Sequence, residues 1–295
     1  MRVLPIEKRV QIIQLLVEGN SMRSVERIVG CSINTVTKLL CDAGAACAEY
    51  HDEHVRGIKA HNVQCDEIWS FCYAKAKNVA VATAAPDGAG DAWTWTAIDA
   101  DSKLIVSYLV GGRDAEYATE FMKDVASRLS HRVQLTTDGH KAYLKAVDTA
   151  FGYQVDYAQL VKVYGEPLGK GSDRKYSSAD FVRADKVAVT GSPRFEKVST
   201  SHVERQNLTM RMHMRRFTRL TNGFSKKIEN HANAVALHFM YYNFAKIHKT
   251  LRVTPAMEAG ISGHVWSIEE IARLIPEPVA KKRGSYKTRE AFISN

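Results

Sequence analysis

Long apolar runs and closely spaced cysteine pairs are both missing from this chain. No stretch approaches the roughly 18 apolar residues of a membrane-spanning helix, and no apolar signal-peptide core follows Arg2. We therefore predict a cytoplasmic protein that has no membrane partner. The five cysteines lie in the first quarter of the chain and include no C-x-x-C pair. Their odd number argues against a disulfide framework, and their spacing makes a zinc site with Cys41 and Cys47 the less favoured interpretation.

Positive charge dominates the composition. The chain has 295 residues, of which 45% are hydrophobic, enough for one large or two ordinary domains, and its formal net charge is +9. Such an excess favours an anionic partner. Cations concentrate between residues 201 and 252, where the carboxylates are Glu204 and Glu229. Because a solvated helix face would mix both signs, this pattern predicts a phosphate-binding surface.

Residues 1–45 are predicted to form a small all-α helix-turn-helix domain. Apolar residues recur at helical spacing in three short segments between residues 5 and 43, and Ser32 is placed to cap the third. The third helix of such a domain enters the major groove of DNA. The predicted contacts are Arg23 and Arg27 to phosphates and Asn34, Thr35 and Lys38 to bases. A helical bundle used for dimerisation is the alternative, and residues 46–61 are predicted to be a helical linker.

Residues 62–252 are predicted to form the catalytic body. Strand-like runs cover residues 63–71, 93–98 and 104–110, a helical stripe covers 115–129, and a further strand ends at Asp138 before another helix. Three strands, a helix, a strand and a helix is the order of an RNase H-like fold. The predicted fold class is therefore mixed α/β (α+β), with the helix-turn-helix domain in front and a C-terminal segment with a basic tail at 253–295.

Three carboxylates are predicted to meet in that body. The first and fourth strands of the fold lie side by side, which brings Asp66 and Asp138 together, and a later helix supplies Glu204. Hard oxygen ligands select Mg²⁺ or Mn²⁺, and two such ions can drive an in-line displacement at phosphorus. Taken alone, Asp138 could simply form a turn with Gly139, and Glu204 could simply stabilise a helix start. The prediction of a metal site therefore depends on the three carboxylates together. Strand alternation predicts that Asp66 and Glu67 do not both face the metals.

Several segments together resemble a known family. They are residues 65–71 (CDEIWSF), 137–139 (TDG), 203–208 (VERQNL) and 224–231 (FSKKIENH), followed by a tail from Tyr242 to Met257. The set resembles the DDE transposases of the family founded by the bacterial insertion sequence one, in order, over about residues 62 to 260. The resemblance implies a Mg²⁺-dependent enzyme that cuts the ends of its own element and joins the freed 3′-hydroxyls to target DNA.

The same resemblance assigns roles to individual residues. It implies that Asp66, Asp138 and Glu204 are catalytic, and that Arg211 is the basic position of the catalytic helix. Arg215 is predicted to lie on the same side of that helix and to contact DNA. The helix-turn-helix domain would recognise terminal inverted repeats, and a dimer or higher oligomer would hold two element ends.

The interval between Asp138 and Glu204 departs from the family pattern. It is longer than in the founding members, which predicts an insertion at about 162–200 and leaves Glu166 as an alternative to Glu204. The chain also lacks the cysteine-rich zinc module of some founders. Two other functions stay open, namely an RNase H-like nuclease or resolvase without strand transfer, and a catalytically silent DNA-binding regulator.

Overall fold

The structure is a computed structural model that describes residues 4–165, 180–218 and 221–277. Glu166 and the rest of the stretch 166–179 within the predicted insertion, Arg219 and the basic tail at 281–284 lie outside the described residues.

A six-stranded sheet forms the centre of the molecule, with strand order β3-β2-β1-β4-β5-β6. The strands are β1 (Asn62–Cys72), β2 (Gly90–Asp99), β3 (Ile105–Gly111), β4 (Val133–Asp138), β5 (Val155–Tyr164) and β6 (Phe181–Thr190). The first three are antiparallel, whereas β4 runs parallel to both β1 and β5. β6 returns antiparallel to β5.

Ten α-helices surround the sheet within the described residues. They are α1 (Ile6–Val17), α2 (Met22–Val29), α3 (Ile33–His54), α4 (Ala76–Val79), α5 (Ala115–Arg128), α6 (Ala142–Phe151), α7 (Ser201–His213), α8 (Ile228–Met240), α9 (Pro255–Glu258) and α10 (Ile268–Arg273). Asp114 caps α5 by accepting the backbone N–H groups of Glu116 and Tyr117, an arrangement that satisfies donors left free at a helix start.

Helices pack on both faces of the central part of the sheet. On one face, Trp95 of β2 packs against Phe121 of α5 and Tyr143 of α6, with ring centroids 5.8 and 5.4 Å apart. On the other face, Tyr108 of β3 packs against Phe239 of α8 at 4.9 Å. Because helices cover both faces there, polar residues of the central strands, such as Gln64, Thr94 and Thr136, are buried as well.

The predicted fold class is confirmed. The chain is a mixed α/β protein, and the order 3-2-1-4-5, with three antiparallel strands followed by two parallel ones, is that of an RNase H-like fold. The adjacency of the first and fourth strands is confirmed as well. β5 and β6 form a hairpin whose connection contains the undescribed residues 166–179, so the predicted insertion carries the sixth strand.

The three N-terminal helices lie where the sequence predicts them. Ser21 and Ser32 cap α2 and α3 through their side-chain oxygens, and Gly30 adopts a left-handed conformation (φ 67°) at the end of α2. The third helix, however, continues without a break from Ile33 to His54, across the predicted boundary at residue 45. That domain boundary stays a prediction.

The continuous helix α3 packs closely along α8. A Cβ atom at Gly44 would lie 2.2 Å from the backbone oxygen of Asn233, so the absence of a side chain allows the two helices to approach. Further along, His51 bonds the backbone oxygen of Ile105 at 3.2 Å, and Arg128 donates to that of Val55 at 3.1 Å. The three N-terminal helices are therefore fixed to the central body through α3.

No helix in residues 4–165, 180–218 or 221–277 is long and apolar enough to cross a membrane.

Candidate active site

Two aspartates meet where β1 and β4 run side by side. Cys65 of β1 lies opposite Thr137 of β4, and each is followed by an aspartate, Asp66 or Asp138. Carboxylate oxygens of Asp66, Glu67 and Asp138 all lie within 4.8 Å of one another. The parallel register thus brings together the first two residues that the sequence predicts for a metal site.

Glu67 belongs to the same cluster, contrary to the expectation from strand alternation. Its side chain is fully buried, and the Arg113 Nε donates to its Oε2 at 3.0 Å. Its other oxygen, Oε1, is also buried. The Tyr143 hydroxyl lies near the carboxylate but forms no hydrogen bond of ordinary length with Oε1. Asp138 is the last residue of β4, so the strand does not continue between the two faces of the sheet at this point. Asp66, on one side of β1, and Glu67, on the other, can therefore both approach Asp138.

Burial and mutual repulsion control the charge of this cluster. Burial, with the nearby Asp138 and Glu67 charges, raises the pKa of Asp66 to about 7. Burial and Asp138 likewise raise the pKa of Glu67 to about 7, against the opposing effect of Arg113. The cluster therefore favours either bound protons or a bound cation near neutral pH.

Glu204 lies at the edge of this group. It occupies the first turn of α7 and accepts hydrogen bonds from the Lys162 ammonium and the Thr200 hydroxyl. Its negative charge still contributes to the raised pKa of Asp66, after burial, Asp138 and Glu67. The structure thus places Glu204 near the two aspartates with its carboxylate paired to Lys162, and its catalytic role stays a prediction.

Asn207, one turn after Glu204, connects α7 to the cluster. Its Nδ2 donates to Oδ2 of Asp66 at 2.8 Å, and its side chain is buried together with those of Val203 and Met210. The apolar residues dock the helix, and the amide then aims at the carboxylate.

Arg113 is the site residue that the sequence reasoning missed. It follows β3, pairs with Glu67, approaches Asp138 at 3.9 Å, and lies 4.5 Å from the ring of Trp93. Arg113 lies between β3 and α5, outside the apolar periodicity of either element. Only its contacts in the folded structure identify it as a site residue. The neighbouring His140 backbone N–H also donates to Oδ1 of Asp138 at 3.0 Å.

The residues of the N-terminal helices that are predicted to contact DNA are exposed or partly exposed. Arg23, Arg27, Asn34 and Lys38 are exposed and Thr35 is half-buried. Lys38 forms an ion pair with Asp42 one turn further along α3. Surface exposure of these side chains is compatible with a role in DNA binding, which stays a prediction.

The predicted placement of Arg215 on the same helix face as Arg211 is wrong. Helix α7 ends at His213 because the backbone of Met214 is extended. Arg215 therefore lies in the 3₁₀ turn Arg215–Phe217, where it is exposed, whereas Arg211 is half-buried on α7. Whether either arginine contacts DNA stays a prediction.

The cluster fits a divalent cation such as Mg²⁺ or Mn²⁺. Its donors are carboxylate oxygens, which such hard cations prefer, and the unpartnered Oε1 of Glu67 provides a buried acceptor. Asp66, Glu67 and Asp138 are the residues that would hold the ion.

No family model and no curated protein sequence matches this chain. Among solved structures, it is similar to the Mos1 transposase paired-end complex with left transposon end, at 13% identity and a TM-score of 0.22. It is also similar to a pre-cleavage Mos1 transpososome, at 11% identity and a TM-score of 0.20. Each match covers 52% of this chain and 60% of the other, so this chain spans less than two thirds of those proteins.

Proposed function

We propose that this protein is a Mg²⁺- or Mn²⁺-dependent DNA transposase that cuts the ends of its element and joins them to target DNA. The observation that carries the proposal is the meeting of Asp66 and Asp138 on neighbouring parallel strands, with α7 docked on Asp66 through Asn207. Three carboxylates within 4.8 Å are electrostatically costly unless something positive binds them. A protein that only bound DNA would gain nothing from that cost.

The reaction consists of two transfers at phosphorus. In the first, water attacks the phosphodiester at the element end, the bond from phosphorus to O3′ breaks, and a 3′-hydroxyl is released. In the second, that hydroxyl attacks a target phosphodiester, and a target 3′-hydroxyl leaves. When bound, divalent cations would activate the attacking oxygen and stabilise the leaving one.

The residues of this chain hold and orient the reactants. Asp66 and Asp138 provide the cation ligands, and Asn207 fixes the orientation of the Asp66 carboxylate. Glu204 completes the acidic set once its carboxylate leaves Lys162, and Glu67 adds a buried oxygen that is absent from the predicted triad. Arg113 offsets part of the negative charge before a cation binds.

DNA recognition is assigned to the helix-turn-helix unit and to the basic segment that contains α7. The exposed Arg23 and Arg27 would contact phosphates, and Asn34, Thr35 and Lys38 would contact base edges from the start of α3. Arg211 and Arg215 would contact the DNA nearer to the acidic cluster. A homodimer or higher oligomer would bring two element ends together.

A strand-transfer assay tests the proposal. Linear DNA carrying a candidate element end is incubated with the protein, Mg²⁺ and a supercoiled target plasmid. Asp138→Asn and Glu204→Gln serve as variants, and Leu208→Ala, an exposed neighbour on α7, is the control. We expect joined products from the wild type and Leu208→Ala, and binding without cleavage from the two site variants.

Other outcomes would change the assignment. Cleavage without joined products would identify a nuclease, and binding without either product would identify a regulator. If Glu166→Gln abolished cleavage and Glu204→Gln did not, Glu166 would take the place of Glu204 as the third carboxylate of the proposed triad.

A further inference from the structure

We infer that a surface beside the acidic cluster binds single-stranded DNA by stacking its bases on aromatic rings; the identity of the nucleic acid rests on the proposed function. The surface consists of four half-exposed rings and the cations above them, here called the aromatic strip: Trp69, Phe71, Trp93 and Phe224, with Lys75, Lys226 and Arg113.

The rings form a continuous row. Trp69 and Phe71 alternate along β1, with ring centroids 5.7 Å apart, and Phe71 stacks on Phe224 at 4.9 Å and 30°. Trp93 of β2 lies directly opposite Trp69. Single exposed aromatic residues are ordinary on protein surfaces, but a contiguous group marks an interaction site.

Cations lie over these rings. The Lys226 ammonium is 4.2 Å from the ring centroid of Phe224, and the Arg113 guanidinium is 4.5 Å from that of Trp93. The Lys75 ammonium is 5.7 Å from Trp69. Aromatic faces combined with positive charge match the two chemical features of an unpaired nucleotide, its base and its phosphate.

A carboxylate close to the strip is already occupied. Asp91 lies opposite Phe71 on β2, and its Oδ1 accepts the backbone N–H of Ala76 at 3.0 Å. This bond secures the start of the short helix α4, next to Lys75. Asp91 therefore anchors the backbone next to Lys75.

The strip begins at the acidic cluster. Glu67, Trp69 and Phe71 occupy alternate positions on one face of β1, and two residues of a strand span about 7 Å. Arg113 contacts both Glu67 and Trp93, so it belongs to the cluster and to the strip. A strand of DNA cut at the cluster would have this row of rings directly along its path.

An unpaired strand fits the strip better than a duplex does. Bases in a duplex stack on each other and present only their edges in the grooves, so their faces cannot reach a flat protein ring. Bases of a single strand can stack on successive rings, each stack contributing to affinity without regard to sequence. We therefore assign to the strip a strand that has separated from its complement near the cut.

Fluorescence anisotropy in EDTA tests this inference without requiring catalysis. Labelled oligothymidylate and a labelled duplex of the same length are titrated with the wild type and with Trp69→Leu, Phe71→Leu and Trp69→Phe. The control is Tyr153→Leu, which removes an exposed aromatic ring before β5, at the other end of the sheet. Far-UV circular dichroism verifies that each variant is folded.

We expect each leucine variant to weaken oligothymidylate binding by roughly 5- to 150-fold, the range for loss of one stacked base. Duplex binding should be unchanged, and Trp69→Phe and Tyr153→Leu should bind the oligothymidylate like the wild type. Lys226→Gln should reduce the dependence of log affinity on log salt by about 0.7.

Two results would overturn the inference. One is equal affinity of the wild type and both leucine variants for oligothymidylate. The other is a wild type that binds the duplex but does not bind oligothymidylate. A wild type that binds neither DNA would contradict the proposed function as well. Retention of duplex binding therefore separates failure of the strip from failure of the whole proposal.

Discussion

The Asn207 Nδ2 lies 2.8 Å from Oδ2 of Asp66, so a buried amide of α7 holds the central carboxylate of β1. Since Glu204 lies one turn earlier on α7, the same contact, together with the apolar residues that dock this helix, holds Glu204 near the two aspartates. A single side-chain hydrogen bond thus connects the third predicted ligand to the first.

Asn207→Ala should impair cation binding and catalysis while leaving DNA binding intact. The Asp66 carboxylate would lose the amide that orients it, and removal of such outer partners of metal ligands costs roughly 10- to 100-fold in metal affinity or activity. The measurement is Mg²⁺-dependent strand cleavage beside anisotropy with duplex DNA. Leu208→Ala, which truncates an exposed neighbour, should behave like the wild type. Equal cleavage rates in the two variants would contradict the assigned role.

The stability of the metal-free protein should fall with rising pH because of Asp66. In the folded state its pKa is about 7, against an ordinary value of 3.8. Between these values the folded protein retains a proton that the unfolded chain has lost, so this contribution to the free energy of unfolding declines as pH rises through the folded pKa. Below pH 4 both states are protonated, and the contribution is complete.

Asp66→Asn removes that dependence. In EDTA at pH 8 the variant should unfold at a temperature about 2 °C or more above that of the wild type, and the difference should disappear at pH 4. Mg²⁺ at pH 8 should raise the melting temperature of the wild type only. Calorimetry at pH 4 and pH 8 measures the two melting temperatures. A variant less stable than the wild type at pH 8 would contradict burial and charge repulsion as the cause of the raised Asp66 pKa.

Lys162 should compete with cations for Glu204. Its ammonium is bonded to that carboxylate, and both side chains are partly exposed, so the pair contributes at most about 1 kcal/mol. Lys162→Ala should strengthen Mg²⁺ binding by up to about fivefold, as measured by the thermal shift at increasing Mg²⁺. Lys162→Arg, which keeps the charge, is the control. Unchanged affinity in Lys162→Ala would contradict this competition.

Gly44→Ala should destabilise the protein, although alanine is the better helix former by about 1 kcal/mol. The added Cβ would lie 2.2 Å from the backbone oxygen of Asn233, so α3 and α8 must separate. Overpacking of this kind costs about 1–3 kcal/mol. Gly263→Ala, where a Cβ would have no atom within 4 Å, should change stability by less than about 0.5 kcal/mol. Chemical denaturation compares them, and an increase in stability for Gly44→Ala would refute the close crossing.

The sequence predicted those parts of the fold that follow from periodicity. The apolar runs of β1 to β4 and the stripe of α5 define the topology, and the topology in turn brings Asp66 and Asp138 together. Periodicity could not predict Arg113, whose partners Glu67 and Trp93 belong to other strands. The prediction for Glu67 was wrong as well. Alternation describes which face a side chain of β1 points to, but it does not describe contacts beyond the end of the neighbouring strand β4. Nor did Gly44 indicate a close helix crossing, since its partner Asn233 is remote in sequence.

Under the proposed function, the single rigid helix α3 would fix the distance between DNA recognition and DNA cutting. Its 22 residues extend over about 33 Å, from the recognising end, which packs with α1 and α2, to the segment that contacts α8 and Ile105 of β3. Inserting one residue into this helix would turn the recognising end by about 100° around the helix axis, whereas seven residues, close to two full turns, would nearly restore its direction. Under the proposed function, the phase of this helix would determine which nucleotide, counted from the bound repeat, arrives at Asp66 and Asp138.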